Sequence, residues 1–102
     1  MTHDEIQALS GRELDERITA IRHPRNMNHG PLLFSERDGL AAELRREMYD
    51  AGCDIDIEVI DDGIRMTVYA KRAPERWKIL QAHATTEAVA TAKVYLMFRE
   101  MR

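Results

Sequence analysis

The segment from Cys53 to Lys71, CDIDIEVIDDGIRMTVYAK, constrains the fold more than any other part of the sequence. Its first half alternates aliphatic residues with acids, which is the period-two pattern of a strand with one buried face. Asp62-Gly63 is a favoured two-residue hairpin turn, so the segment predicts a β-hairpin. The expected pairs are Ile55–Ala70, Ile57–Val68 and Val59–Met66 on the apolar face, and Asp54–Lys71, Asp56–Tyr69 and Glu58–Thr67 on the other.

The acids of this hairpin also raise the question of a cation site. A calcium loop of the EF-hand type carries a glutamate at a fixed distance after its glycine, and that pattern is missing here. We therefore interpret Asp54, Asp56 and Glu58 as the solvated side of a strand. Neither a metal nor another cofactor is predicted.

Two helices are expected before the hairpin. The first has a capping box in which Ser10 and Glu13 satisfy each other's backbone N–H groups, and it ends near His23 because Pro24 follows. The second is expected to begin at Ser35 as its N-cap and to stop at Gly52. The apolar face of this second helix comprises Leu40, Leu44 and Met48, joined by Ala41 and Ala51.

A third strand and a last helix follow the hairpin. The segment WKILQAHA predicts a strand, and Thr85 or Thr86 then caps a helix. In this strand Trp77, Ile79, Gln81 and His83 share one face; in the helix Ala90, Val94, Met97, Phe98 and Met101 form an apolar stripe. The order α-α-β-β-β-α predicts an α+β sandwich, in which an antiparallel three-stranded sheet packs with three helices.

Length and composition restrict the class of protein. The 102 residues form one expected domain, residues 1–102. The single cysteine, Cys53, excludes an internal disulfide and is predicted to be a small core residue. No apolar run is long enough to cross a bilayer and no signal peptide is evident, so we expect a cytoplasmic protein.

Charge is distributed unevenly along the chain. Residues 35–62 contain ten acids and three bases, a sum of −7, whereas residues 63–102 contain three acids and eight bases, a sum of +5. The net charge of −3 argues against general binding to duplex nucleic acid, which requires neutralisation of phosphates. The acidic segment instead favours a partner with a basic surface.

The connector between the two predicted helices, residues 22–34, is polar and has no acid. Five of its side chains are candidates for gripping a small ligand: Arg22, Arg25, Asn26, Asn28 and His29. One interpretation is a small-nucleotide site, because such groups bind phosphate and base edges. The other is a plain crossover whose prolines and asparagines set its path.

Catalysis is not predicted. Ser10 and Ser35 are assigned to helix caps, and the sequence has no G-x-S-x-G stretch. His23 and His29 lie six residues apart, which matches no common metal-ligand spacing, and His83 lies far from both in the sequence. We therefore expect the chain not to be an enzyme.

Three strings of the sequence resemble a known group. LSGRELDERI, GPLLFSERDGLAAEL and ATTEAVATAKVYL occur in the order and phrasing of small bacteriophage proteins with the phage α-β-α (ABA) sandwich domain. The similarity covers roughly residues 8–98. The resemblance implies a phage or prophage accessory gene and no shared catalytic residues.

Protein–protein binding is the function that these observations favour. Aromatic side chains partly exposed among charges are typical of interface anchors. The candidate interface residues are Trp77, Tyr69, Asp54, Asp56 and Glu58. We expect the partner to be a host or phage protein. One role of this kind is inhibition of a bacterial defence system (anti-CRISPR-like). The chain could also form a homodimer.

Overall fold

The fold was analysed in a computed structural model that describes residues 1–25, 30–72 and 76–101, without the side chains of residues 71, 72, 76 and 77. The described elements are α1 (His3–Gln7), α2 (Gly11–Arg22), α3 (Asp38–Asp50), β1 (Asp54–Ile60), β2 (Gly63–Arg72), β3 (Arg76–Ala84) and α4 (Glu87–Met101). The α+β fold with an antiparallel three-stranded sheet is confirmed. These ranges contain four helices, whereas three were predicted.

The additional helix is α1, at the start of the chain. The Thr2 hydroxyl accepts a hydrogen bond from the backbone of Glu5, whose carboxylate accepts one from the backbone of Thr2. This is the same capping box that Ser10 and Glu13 form at α2, where the prediction is confirmed. The helix is only five residues long and is held by its one buried side chain, Ile6.

The sheet has the strand order β1-β2-β3, and its hairpin register differs from the prediction. Ile60 pairs with Gly63, so the turn consists of Asp61 and Asp62 and the predicted turn at Asp62-Gly63 is wrong. The observed pairs are Ile55–Val68, Ile57–Met66 and Val59–Ile64 on one face, and Asp54–Tyr69, Asp56–Thr67 and Glu58–Arg65 on the other. Each residue faces a partner two positions away from the expected one, which leaves the two faces unchanged.

Helices cover one face of this sheet. α4 packs against β2 and β3 and also contacts α1, α2 and α3, while α3 contacts β1. Because α4 contacts both the sheet and the other helices, it is buried beyond its predicted stripe, at Ala92, Tyr95 and Leu96 as well. Of the two proposed caps it is Thr86 that acts, accepting a hydrogen bond of 3.2 Å from the Val89 N–H.

The start of α3 corrects a second expectation. Ser35 is not its N-cap: the helix begins at Asp38, and Arg37 occupies the cap position without a side-chain hydrogen bond. The predicted end is confirmed, since Gly52 follows the helix with a φ of 90°. Cys53 is buried, as predicted. In the described ranges, no helix has the length and apolar character needed to cross a membrane.

Candidate functional site

The face of the sheet turned away from α4 is the main candidate surface, called the open face here. Because side chains alternate along a strand, every second residue of β1, β2 and β3 lies on this face. Among the described parts of the chain no helix packs there. Its described side chains are those of Asp54, Asp56, Glu58, Ile60, Arg65, Thr67, Tyr69, Ile79, Gln81 and His83. The three predicted interface acids and the predicted tyrosine therefore share one surface.

One row of the open face combines an acid, an aromatic and an aliphatic residue. Tyr69 pairs with Asp54 on one side and with Ile79 on the other. Tyr69 is 37% exposed and Ile79 is 61% exposed, so both present apolar surface to solvent. Trp77 pairs with Lys71 at the next position of this face. The side chain of Trp77 is not among those that the structure describes.

The next two rows are polar. Gln81 Nε2 donates a hydrogen bond of 3.1 Å to Thr67 Oγ1. Arg65 Nη1 lies 3.5 Å from Glu58 Oε2, so one of the three acids is paired within the sheet. Among the described side chains, Asp54 and Asp56 have no such ion pair, which leaves their charge available to a binding partner.

Ile79 was not among the predicted interface residues. The signal for it was present, since it lies on the same face of β3 as Trp77 and is the only aliphatic residue there. The predicted interface comprises only aromatic and acidic residues, because aromatic side chains among charges are the typical interface anchors.

Two aliphatic residues expected in the core are exposed. Ile57 and Val59 lie on the helix-covered face, yet they are 41% and 81% exposed. The reason is position: α4 packs over β2 and β3, whereas β1 lies at the edge of the sheet and has only a limited contact with α3. The alternation correctly predicted which face these residues occupy, but not that the covering layer stops short of them.

The connector between α2 and α3 is in part a structural brace. Arg22, a candidate ligand contact, lies with Nε 3.6 Å from Glu47 Oε1 and Nη1 3.7 Å from Glu43 Oε2. Its guanidinium carbon is 5.9 Å from the centre of the buried Phe34 ring, a cation–π distance. Arg22 therefore joins α2 to α3 and to the connector.

The second half of the connector is pinned to α2 by two side chains. The Leu32 N–H donates a hydrogen bond of 2.9 Å to Thr19 Oγ1. Ser35 donates twice to the carboxylate of Asp15, from its N–H at 2.8 Å and from its hydroxyl at 2.9 Å. Asp15 is only 2% exposed, and this burial raises the pKa of its carboxyl above the usual value although the Ser35 hydrogen bonds oppose the shift.

The other loop candidates are less constrained by the structure. Arg25 is exposed, and Asn26, Asn28 and His29 lie outside the described residues. Recognition of a small ligand by this loop, and with it the nucleotide alternative, therefore stays a prediction. Arg22 is the one member of the set whose contacts are accounted for by the fold.

A cleft of about 300 Å³ lies between the last strand and α4, at the end of the sheet where α1 packs. It is lined by Gln7, His83 and Lys93 among others. Lys93 Nζ donates to the His83 carbonyl at 3.4 Å, and burial lowers the pKa of this lysine. Within the described ranges, no three His, Cys, Asp or Glu side chains are grouped to hold a metal ion.

Comparisons with known proteins add no functional information. No protein-family model, no curated protein and no solved structure matches this chain.

Proposed function

We propose that this chain is a small accessory protein of phage or prophage origin that binds another protein through the open face of its sheet. The observation that carries the proposal is the row formed by Asp54, Tyr69 and Ile79. It places exposed aromatic and aliphatic surface beside an acid that has no ion pair among the described side chains.

The side chains of this row suit an interface. Tyrosine offers a large contact area at a small entropic cost, and it is enriched among the residues that dominate binding energies. Ile79 adjoins Tyr69 and extends the apolar surface, while the exposed Gln81 in the next row supplies a polar group beside it. An apolar centre with a polar surround is the usual anatomy of a protein interface.

Charge indicates the kind of partner. Asp54 and Asp56 lie on the open face without an ion pair to a described side chain, so a basic partner surface would gain attraction there. Complementary charge of this kind accelerates association and selects among partners more than it raises affinity. The proposed partner is therefore a host or phage protein with a basic patch.

The biological role rests on the resemblance to small phage proteins with the ABA sandwich domain. Accessory proteins of this kind act inside an infected bacterium, so the proposed compartment is the bacterial cytoplasm. Inhibition of a bacterial defence system, by covering a basic surface that otherwise meets nucleic acid, is the role that the exposed acids favour.

Removing the tyrosine ring should weaken partner binding. With a tagged chain, a partner is first recovered from bacterial lysate and purified, and its dissociation constant is then measured by calorimetry. Tyr69→Ala is expected to raise that constant about tenfold or more, the effect of truncating an interface anchor. Ile79→Thr, which keeps a β-branched side chain, is expected to raise it less.

Tyr49 provides the matched control. It is an exposed tyrosine on α3, outside the open face, so Tyr49→Ala should leave the constant unchanged. If Tyr69→Ala and Ile79→Thr bind like the parent chain, the open face is not the contact surface and the proposal is wrong.

A further inference from the structure

We infer that the outer edge of β1 accepts an extended segment of the partner as a fourth strand, and that this segment alternates basic with aliphatic residues. The inference rests on the proposed function and adds to it the mode of binding and the pattern of the bound sequence. It follows from three features of β1: its unpaired edge, its exposed aliphatic row and its acidic row.

The edge of β1 is open to pairing. β1 lies at one end of the strand order and pairs only with β2, so within the described residues no strand pairs with its other side. In an antiparallel ladder every second residue directs its N–H and C=O away from the neighbouring strand. Such an edge is a template for the addition of a further strand.

The opposite edge of the sheet is closed at one end by α1. Gln7 Nε2 donates a hydrogen bond of 2.7 Å to the His83 carbonyl, and the His83 N–H donates one of 3.2 Å to Gln7 Oε1. The side-chain amide thus occupies both backbone groups of this residue of β3, as a neighbouring strand would. Lys93 Nζ adds a third contact to the same carbonyl. The two edges of the sheet are therefore not equivalent: at this end of β3 a side chain occupies the backbone groups, whereas among the described residues no strand pairs with the outer edge of β1.

The side chains of β1 specify what an added strand must carry. On the helix-covered face, Ile57 and Val59 are exposed, so an incoming aliphatic residue beside them would complete the cover that α4 does not reach. On the open face, Asp54, Asp56 and Glu58 favour lysine or arginine at the alternate positions. Side chains that neighbour each other across strands interact in this way, opposite charges favourably.

A second copy of the chain fits this edge poorly. If β1 pairs antiparallel with β1 of another copy and Ile57 meets Ile57, then Asp56 stands opposite Glu58 at two places. Shifting the register by two residues brings Asp56 opposite Asp56, or Glu58 opposite Glu58. Like charges directly opposite each other destabilise a sheet, so the acids select against self-pairing and for a basic strand.

A synthetic peptide tests the inference directly. The probe is a capped, alternating Lys–Val peptide of seven residues, the length of β1. We expect it to bind, to shift the NMR signals of the β1 backbone amides and to slow their hydrogen exchange. Two control peptides should each bind at least about tenfold more weakly than the alternating Lys–Val peptide. One alternates glutamate with valine, and the other has all its lysines before all its valines.

Two variants separate the edge from the open face. Ile57→Thr/Val59→Thr removes the exposed aliphatic surface but keeps β-branched residues in the strand, and it should weaken peptide binding about tenfold. Asp56→Lys should also weaken it, whereas Glu36→Lys, which reverses an exposed charge before α3, should have a smaller effect. Methylating alternate peptide nitrogens, on the side that pairs with β1, should abolish binding because it removes the ladder hydrogen bonds.

The outcomes distinguish the inference from the proposed function. If the alternating peptide fails to bind, or if its N-methylated form binds equally well, strand addition at β1 is overturned. If the partner loses affinity for Tyr69→Ala but tolerates Ile57→Thr/Val59→Thr, the open face stands and the edge does not. If peptide binding follows the edge variants but no partner responds to Tyr69→Ala, the open-face proposal fails alone.

Discussion

Replacing Gly63 with alanine is expected to destabilise the fold by about 4 kcal/mol, the largest effect of any substitution proposed for this chain. Gly63 has a φ of +152°, which side chains rarely adopt, and an added Cβ would collide with the backbone carbonyl oxygen of Ala84 in β3. Strain and overpacking each cost about 1–3 kcal/mol. Urea unfolding followed by circular dichroism measures the loss, which should also lower the melting temperature by about 15 °C or more.

Gly39 is the control for this substitution. It lies in the first turn of α3, its φ is not positive, and an added Cβ would meet nothing within 4 Å. Gly39→Ala should therefore raise the free energy of unfolding by up to about 1 kcal/mol, because alanine favours the helix. Equal effects of the two substitutions would show that β2 does not approach β3 as closely as described.

The hairpin around Gly63 also shows why its register could not be predicted from the sequence. The Asp62-Gly63 pair matches a favoured turn, and the alternation of apolar and polar residues fits that turn. The same alternation fits every register that differs by two positions, so it identifies the faces but not the pairs. In the observed register Gly63 belongs to β2 and lies close to Ala84 of β3, a contact between residues far apart in the sequence.

Helix caps show the same division between local and distant causes. Ser10 and Thr2 both cap helices through a glutamate three residues later, and both could be found from the sequence, although only the first was predicted. Ser35 has the same local chemistry, but the structure uses it otherwise. Its N–H and hydroxyl bind Asp15 in α2, and α3 begins three residues later. Competition by a buried carboxylate is not visible in a local pattern.

For the candidate site, alternation was the informative signal. It placed Asp54, Asp56, Glu58 and Tyr69 on one face, and the structure brings them together. Exposure was harder to predict, because it depends on how far α4 extends over the sheet. That extent is set by the packing of α4 between the sheet and the other helices, which no single segment of the sequence specifies.

Removing the carboxylate of Asp15 should destabilise the protein by about 2 kcal/mol. Asp15→Ala deletes the acceptor of two hydrogen bonds from Ser35, a residue that is itself buried. The Ser35 hydroxyl can turn to the Gly11 carbonyl, 3.3 Å away, but its N–H is left without its acceptor. A buried donor without a partner costs about 1–3 kcal/mol. Chemical unfolding at neutral pH checks the loss, and an unchanged free energy of unfolding would contradict the brace.

Asp15→Asn separates the hydrogen bonds from the charge. The amide oxygen still accepts from the Ser35 N–H and the amide nitrogen donates to its hydroxyl, while the desolvated charge is gone.

Burial raises the pKa of Asp15 in the folded protein above its ordinary value of 3.8, so the folded state holds this proton more tightly than the unfolded state. The stabilisation from protonation is complete below pH 3.8 and is lost as the pH rises through the raised pKa. Relative to Asp15→Asn, the parent chain should therefore lose stability between pH 3.8 and neutrality, measured by urea unfolding across that range. The difference in free energy of unfolding between the parent chain and Asp15→Asn could instead stay constant, or grow in favour of the parent as the pH rises. Either result would mean that hydrogen bonding from Ser35 outweighs desolvation at this carboxylate.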